Sequence, residues 1–171
     1  INQGFITDEG IDRAIIAMKD FNKTIHDEGI ETVLAFGTSA LRNARNGEEV
    51  IKRIETAAGI KAQIITGLQE AEYIYKGARA AIDMGSEKSL IMDIGGGSVE
   101  FIIGHKKEIC WSHSFEIGGQ RLLEKFQKHD PMTQHEVEHE VENLRQFADP
   151  DFIFVAEKNG APIALSLTLP N

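Results

Sequence analysis

The sequence predicts an α/β domain, because strand-like and helical segments alternate through its first half. Three short apolar runs have the length and the β-branched content of buried strands: residues 32–36, 61–66 and 89–94. Segments with apolar residues at helical spacing precede or separate them: residues 7–28, 48–58 and 69–82. A β-α-β-α-β order is typical of adjacent strands with helices packed on the sheet. We therefore expect all three strands in one sheet.

The ends of the predicted helices carry capping signals. Thr7 or Asp8 can accept a hydrogen bond from the first turn of the first helix, and Gly29 can end that helix. Gly59 can end the second helix in the same way. Residues 37–39 are small and interrupt the first strand, which predicts a turn there.

The second half of the sequence changes to antiparallel strand patterns and then to helices. Two alternating runs meet near Gly104 and predict a hairpin, at residues 98–104 and 106–115. Two helical segments follow, at residues 119–127 and 133–147.

The C-terminal segment differs from what precedes it. The pair Asp149-Pro150 marks a boundary, and two strand-like runs then flank a turn-like Lys-Asn-Gly sequence. We therefore predict one domain over residues 1–148 and an atypical strand-turn-strand segment over residues 149–171.

Composition and charge argue against several classes of protein. Of the 171 residues, 42% are hydrophobic and 26% are charged, as in an ordinary globular domain. All apolar runs are shorter than the roughly 20 residues that cross a bilayer, so we expect no membrane partner. The net charge of −9, without a basic stripe, argues against a nucleic-acid partner. The single cysteine, Cys110, excludes an intrachain disulfide and suits a cytoplasmic location.

The most informative stretch runs from Asp93 to Glu100 and reads Asp-Ile-Gly-Gly-Gly-Ser-Val-Glu. Successive glycines can adopt positive φ values and admit a ligand close to the backbone. Four residues can offer backbone N–H groups to an anion, as an anion-binding nest: Gly95, Gly96, Gly97 and Ser98. Asp93 and Glu100 flank this loop and can hold Mg²⁺, which prefers oxygen ligands and bridges phosphates. A glycine-rich hairpin turn without a ligand is the alternative.

Two further stretches place charged residues at the ends of predicted elements. Glu70 opens the helix at residues 69–82, where the helix dipole favours a carboxylate, although Glu70 and Glu72 are also typical of an ordinary helix N-terminus. Arg42 and Arg45 lie in the turn after the first strand. A guanidinium group suits phosphate oxygens, and a solvated loop with surface ion pairs is the alternative.

These motifs resemble those of the exopolyphosphatase and guanosine pentaphosphate phosphohydrolase family. Residues 93–100 are similar to the second phosphate loop of that family. Residues 67–71 resemble its Gly-x-x-Glu-Ala segment, and residues 38–46 resemble its Thr-x-x-Leu-Arg-x-Ala-x-Asn segment. The resemblance extends over residues 5–147. It implies part of a ribonuclease H-like domain of the actin-like ATPase superfamily, with a mixed sheet flanked by helices.

The resemblance assigns roles to individual residues. It implies that Glu70 is the general base for the attacking water and that Arg42 faces the phosphate site. Residues 95–98 are implied to bind phosphate oxygens, with Asp93 and Glu100 as the ligands of Mg²⁺.

Three departures from the family pattern are visible. Gln69 stands where the family often has a further acid, so Glu70 is expected to act alone, with Glu72 as the second candidate. The family's first phosphate loop, Asp-x-Gly-Thr-Asn-Ser, is absent from the sequence, as expected for a partial chain that could be inactive. From Phe152 onward the sequence is instead weakly similar to a hairpin of acetyltransferase-like proteins.

The resemblance implies a cytoplasmic hydrolase that releases terminal phosphate from inorganic polyphosphate or guanosine pentaphosphate by Mg²⁺-assisted attack of water. It also implies a homodimer, since members of the family are often dimers. Two alternatives stay open: a non-catalytic module that binds polyphosphate or a guanosine alarmone, and an ATPase or sugar-kinase-like member of the same superfamily.

The stretch from His135 to His139 matches a second metal motif, the His-Glu-x-x-His pattern of zinc peptidases. We expect a solvated helix face instead, because Val137, Val141 and Leu144 form the inward, apolar face of this helix. Both histidines lie about 200° around the helix from Val137. Thr133 and Glu136 are also spaced to form a capping box, which gives this glutamate a structural role.

Overall fold

The structure, a computed structural model, describes residues 4–147, 153–158 and 161–167. The chain divides into two compact units, Ile1–Gly119 and Gln120–Asn171. In chain order the elements are α1 (Asp8–Asp27), β1 (Ala35–Gly37), α2 (Ser39–Asn43), α3 (Gly47–Ala58), β2 (Ala62–Ile64), α4 (Gly67–Ala81), β3 (Ser89–Ile94), β4 (Val99–Gly104), β5 (Ile109–Phe115), α5 (Gly119–Phe126), α6 (Gln134–Phe147), β6 (Ile153–Lys158) and β7 (Ala161–Leu167).

The strands of the first unit form two sheets rather than one. β1 and β2 pair in parallel, whereas β3, β4 and β5 form a separate antiparallel sheet in that order. The prediction that β3 lies beside the first two strands is therefore wrong. The glycine loop after β3 reverses the chain at once, so β4 becomes its neighbour. Hydrophobic periodicity identifies a strand but does not identify the strand with which it pairs.

The predicted helix ends are confirmed. Thr7 caps α1, and its hydroxyl accepts a hydrogen bond of 3.2 Å from the N–H of Gly10. Gly29 and Gly59 follow α1 and α3 with φ values of 64° and 70°, a left-handed conformation that favours glycine. One element was not predicted: residues 39–43, expected in a turn, form the short helix α2.

Two small cores hold the first unit together. In one, α1 packs on α3 around three buried residues, Ile11, Val50 and Ile54. In the other, α4 packs on the antiparallel sheet around Ala71, Tyr75, Met84 and Ile102. The helical stripe predicted for α1 is only partly buried, since Phe21 is 62% exposed. The second core fixes the start of α4 against the sheet, which places Glu70.

In the second unit, Glu136 caps α6. The N–H and the hydroxyl of Thr133 both donate to Glu136 Oε2, which confirms the predicted capping box. The N–H of Thr133, followed by that of Lys128, lowers the pKa of Glu136 from 4.5 to about 2. Glu136 is nearly buried and Val137 is 38% exposed, so the expectation that Val137 faces inward is wrong. The inward side of the helix start is occupied by Glu136, which accepts hydrogen bonds from Thr133 and Lys128.

The two histidines of α6 lie on its exposed side, as predicted. His135 and His139 are both exposed, and the ring of His139 contacts Phe126 edge-on at 5.7 Å between centroids. In the parts of the chain that the structure describes, no three His, Cys, Asp or Glu side chains are grouped as metal ligands.

The predicted C-terminal strands are confirmed as β6 and β7, which pair antiparallel. The turn between them and the proposed boundary near residues 148–149 lie outside the described residues. A domain boundary at that point therefore stays a prediction. Over the described ranges, none of the helices combines the length and the apolar character needed to cross a bilayer.

Candidate active site at the glycine loop

Asp93, Glu100 and Ser114 form one row across the antiparallel sheet. Asp93 lies opposite Glu100 on β4, and Glu100 lies opposite Ser114 on β5, so the three side chains share a face. The Ser114 hydroxyl donates a hydrogen bond of 2.6 Å to Glu100 Oε1. Asp93 is exposed, whereas Glu100 is only 1% exposed. The two carboxylates predicted to bind Mg²⁺ are therefore neighbours, one buried and one accessible.

Burial of Glu100 is consistent with a cation at this position. Among the described residues, no Lys, Arg or His forms an ion pair with its carboxylate. A buried carboxylate costs free energy unless a cation or hydrogen bonds compensate it, and one serine hydroxyl compensates it only in part. Mg²⁺ characteristically binds to one or two carboxylates and completes its shell with water and substrate phosphate oxygens. Asp93 and Glu100 fit that donor set.

The glycine loop is tight, but its glycines do not have the backbone angles that were expected. The Gly95 N–H donates to the carbonyl oxygen of Ser98 at 3.0 Å, which closes the turn between β3 and β4. None of residues 95–97 has a positive φ value, so that expectation is wrong. A Cβ on Gly97 would lie 2.5 Å from Ser39 Oγ. Glycine is required here because α2 packs directly on the loop.

A second segment packs on the same loop from the chain beyond β5. A Cβ on Gly118 would overlap the carbonyl carbon of Gly96 and the nitrogen of Gly97. The N–H of Gly119 donates to the Gly95 carbonyl at 2.9 Å. The loop is therefore held on two sides, and one N–H group of the predicted anion site, that of Gly95, already donates to Ser98.

Arg42 and Glu70 meet in the structure, although 28 residues separate them in the sequence. Arg42 Nη1 donates to Glu70 Oε2 at 2.9 Å and to the Ile65 carbonyl at 3.1 Å. The Arg42 and Glu70 side chains are 19% and 15% exposed. The unpredicted helix α2 makes this contact, because it turns Arg42 toward the start of α4. By contrast, Arg45 contacts the ring of Phe5.

Glu70 is placed by the start of α4. Thr66 and Gln69 form a capping box there, which leaves Glu70 in the first turn, pointing to Arg42. Within the described residues, Glu70 Oε1 accepts no hydrogen bond, so one oxygen of this carboxylate is available to a ligand. Glu72, the second candidate for the base, pairs instead with Lys76 at 2.7 Å on the exposed side of the helix.

Glu116 joins this site without having been singled out by the sequence. Its Oε2 accepts hydrogen bonds from Asn43 Nδ2 at 2.7 Å and from Ser39 Oγ at 3.2 Å. Its Oε1 lies 3.7 Å from Arg42 Nη2. The residue follows β5 directly and belongs to none of the three motifs, so only its hydrogen bonds to α2 reveal it.

Gly67 connects the arginine side of the site to the carboxylate row. A Cβ at this position would lie 2.6 Å from Ser114 Cβ and 3.8 Å from Arg42 Nη2. The start of α4 thus approaches both Ser114, which bonds to Glu100, and Arg42, which pairs with Glu70. The sequence-predicted residues Arg42, Glu70, Asp93 and Glu100 therefore belong to one contiguous region that also borders the glycine loop. Such a region combines a carboxylate, a guanidinium group, loop N–H groups and two candidate metal ligands.

Comparison with known proteins identifies this arrangement. The model of the Ppx/GppA phosphatase family matches residues 2–151. The chain belongs to the Ppx/GppA phosphatase family. The sequence resemblance to exopolyphosphatases and guanosine pentaphosphate phosphohydrolases is thereby confirmed.

Curated relatives share this region. The chain is 32% identical to Exopolyphosphatase 1 of Mycobacterium tuberculosis over 130 residues, which cover 76% of the chain and 38% of that protein. It is 30% identical to the guanosine-5'-triphosphate,3'-diphosphate pyrophosphatase of Photobacterium profundum over 149 residues, 87% of the chain and 30% of that protein. It is 32% identical to a bifunctional 3-dehydroquinate synthase/phosphatase of Fusobacterium nucleatum over 155 residues, which cover 85% of the chain and 23% of that protein. The chain thus spans less than half the length of these relatives.

Solved structures confirm the predicted fold class. An exopolyphosphatase from Cytophaga hutchinsonii superposes with a TM-score of 0.81 at 44% identity, covering 85% of the chain and 47% of that protein. The Aquifex aeolicus member of the family superposes with a TM-score of 0.67 at 31% identity. The match covers 85% of the chain and 47% of that protein. The fold is therefore that of Ppx/GppA family proteins, present in part, with a parallel and an antiparallel sheet and flanking helices.

Proposed function

We propose that this Ppx/GppA phosphatase hydrolyses the terminal phosphate of inorganic polyphosphate or of guanosine pentaphosphate. The observation that carries the proposal is the pairing of Glu70 with Arg42 beside the row of Asp93, Glu100 and Ser114. It joins a candidate base, a candidate phosphate ligand and two candidate metal ligands in one place. Relatives that bear the names of both activities support these two substrates. We expect the enzyme to act in the cytoplasm.

In the proposed reaction, Glu70 removes a proton from a water molecule through its available oxygen, Oε1. The water oxygen bonds to the terminal phosphorus, and the bridging P–O bond breaks. The electron pair of that bond leaves with the shortened chain. Arg42 and the N–H groups of residues 96–98 bind oxygens of the substrate phosphates and position them for in-line attack.

Asp93 and Glu100 are the proposed ligands of Mg²⁺. The ion would supply positive charge to neutralise the phosphate oxygens, a requirement of phosphoryl transfer and one that is acute in a chain of net charge −9. The exposure of Asp93 gives that carboxylate access to an incoming ion, while the Ser114 hydrogen bond orients Glu100.

Phosphate release tests the proposal. The purified chain is incubated with Mg²⁺ and either medium-length polyphosphate or guanosine pentaphosphate, and inorganic phosphate is followed with time. We expect release from at least one substrate, and we expect an excess of EDTA to stop it. Release that persists without divalent metal would contradict the roles of Asp93 and Glu100.

The same assay separates the alternatives. Tight binding of polyphosphate without release would favour a non-catalytic binding module over a hydrolase. Phosphate that appears in ATP when ADP is added, rather than in solution, would favour a kinase-like activity. The proposed homodimer is tested separately by sedimentation of the same preparation.

A further inference from the structure

The two ends of the Arg42 guanidinium have different surroundings. Nη1 donates hydrogen bonds to Glu70 and to the Ile65 carbonyl. Nη2 is buried and has no hydrogen-bond partner among the described residues. Oε1 of Glu116 lies 3.7 Å from Nη2, an ion-pair distance that is too long for a hydrogen bond. Burial of a guanidinium nitrogen without an acceptor costs free energy. The N–H groups of Nη2 can therefore still donate hydrogen bonds to an anion.

We propose that Glu116 competes with anionic substrate for Arg42 and so limits how tightly the site binds phosphate groups. Its carboxylate stands beside the end of the guanidinium that lacks a hydrogen bond, and it lowers the affinity of the site for phosphate groups. The inference rests on the proposed function, because it assumes that Arg42 binds phosphate.

Hydrogen bonds from α2 hold the Glu116 carboxylate in this position. Asn43 and Ser39 both donate to Oε2, and Oε1 lies 3.7 Å from Arg42 Nη2. The side chain of Glu116 is 42% exposed, so burial alone does not fix it. Ser39 also packs on Gly97, so the carboxylate that faces Arg42 is tied to the glycine loop as well.

A fixed carboxylate at this distance acts on ligand binding in one direction. A phosphate oxygen that approaches Nη2 displaces a favourable charge interaction and comes close to a second negative charge. Both effects weaken the binding of a phosphate group at Nη2. Glu116 would therefore lower the affinity of the site for any ligand that places a phosphate group at Nη2.

The test is the affinity of the purified chain for tripolyphosphate in Mg²⁺, measured by isothermal titration calorimetry. Glu116→Gln keeps an acceptor for Asn43 and removes the charge. We expect its Kd to fall roughly two- to fivefold, the range that corresponds to a partly exposed ion pair. Glu55→Gln removes the same charge from an exposed position on α3 and should leave Kd unchanged.

A purely structural role predicts the opposite sign, because loosening of α2 would weaken binding. Glu116→Asp keeps the charge and withdraws it by one methylene group, so its Kd should lie between those of the unchanged chain and Glu116→Gln. A Kd that is equal to or higher than that of the unchanged chain in both variants overturns the inference.

A third variant separates failure of this inference from failure of the proposed function. In an Arg42→Leu background, Glu116→Gln should no longer tighten binding, because the competing partner is gone. If Arg42→Leu binds tripolyphosphate as well as the unchanged chain, or if the unchanged chain does not bind it, the proposed role of Arg42 is wrong and the inference falls with it. If Arg42→Leu weakens binding and Glu116→Gln does not tighten it, only the inference is wrong.

Discussion

Glu70→Gln is expected to lower the rate of Mg²⁺-dependent phosphate release by about 10²–10⁴-fold, the usual contribution of a positioned general base. The amide oxygen of glutamine can still accept the hydrogen bond from Arg42 that Glu70 Oε2 accepts. The geometry of the arginine is thus retained while the proton acceptor is lost. The measurement is the steady-state rate of phosphate release from polyphosphate, together with the Kd for tripolyphosphate.

The neighbouring glutamate on the same helix provides the control. Glu72→Gln changes the same charge two residues away, in a side chain that is 52% exposed and paired with Lys76. We expect its rate to stay within about twofold of the unchanged chain, as for other exposed pairs. A loss of rate in Glu72→Gln that matches or exceeds the loss in Glu70→Gln would give the role of base to Glu72. If both variants release phosphate at the rate of the unchanged chain, neither glutamate of α4 acts as the base.

Gly118→Ala is expected to destabilise the first unit and to disable the glycine loop. A methyl group at this position overlaps backbone atoms of Gly96 and Gly97, which cannot rotate away as a side chain can. Overpacking of this kind typically costs about 1–3 kcal/mol. Because the displaced atoms belong to the predicted anion site, we also expect binding of tripolyphosphate to weaken at least about tenfold, the equivalent of 1.4 kcal/mol.

Gly119→Ala is the matched control for that substitution. A Cβ on Gly119 meets nothing within 4 Å, and its N–H bond to Gly95 is a backbone bond that alanine keeps. Its free energy of unfolding should stay within about 0.5 kcal/mol of the unchanged chain. Urea unfolding of both variants gives the comparison. Similar stability and similar binding in Gly118→Ala and Gly119→Ala would mean that the loop yields to the added methyl group.

Much of the fold was predictable because its signals are local. The helix stops at Gly29 and Gly59, the cap at Thr7 and strand β3 all follow from residue types within a few positions. The partner of β3 did not follow, because pairing depends on the return of the chain through residues 95–98 and not on the pattern of the strand itself. The short helix α2 was also missed, since five residues without a side-chain cap carry little helical signal.

The site was predictable to the extent that its residues lie in motifs. Asp93 and Glu100 were recognised from their spacing around the glycines, and the register of β3 and β4 now places them side by side. The roles of Arg42 and Glu70 came from family resemblance, and their contact spans separate helices. Glu116 could not be found in this way. Its contact with Arg42 arises only where the residue after β5 meets α2, and the sequence around it has no charge pattern that indicates such a contact.

The same lack of local signals for tertiary contacts explains why positive φ values were wrongly expected at residues 95–97. Three consecutive glycines suggest unusual backbone angles, because conformational freedom is the property of glycine that a sequence makes visible. In the structure the decisive property is the missing Cβ, since Ser39 packs against Gly97 and the backbone of residue 118 packs against the loop. Close approach by distant segments is a tertiary effect, so neighbouring residues give no sign of it.

The central claim is that the glycine loop and Arg42 bind a phosphate chain, and the most direct test is a nuclear magnetic resonance titration of the ¹⁵N-labelled chain. Tripolyphosphate is added in the presence of Mg²⁺, and the amide signals of residues 96–98 and the side-chain Nε signal of Arg42 are followed. We predict that these signals shift most and saturate together with a single Kd. Saturable shifts confined to other surfaces, such as the turn at residues 106–107, with these signals unmoved, would contradict the account.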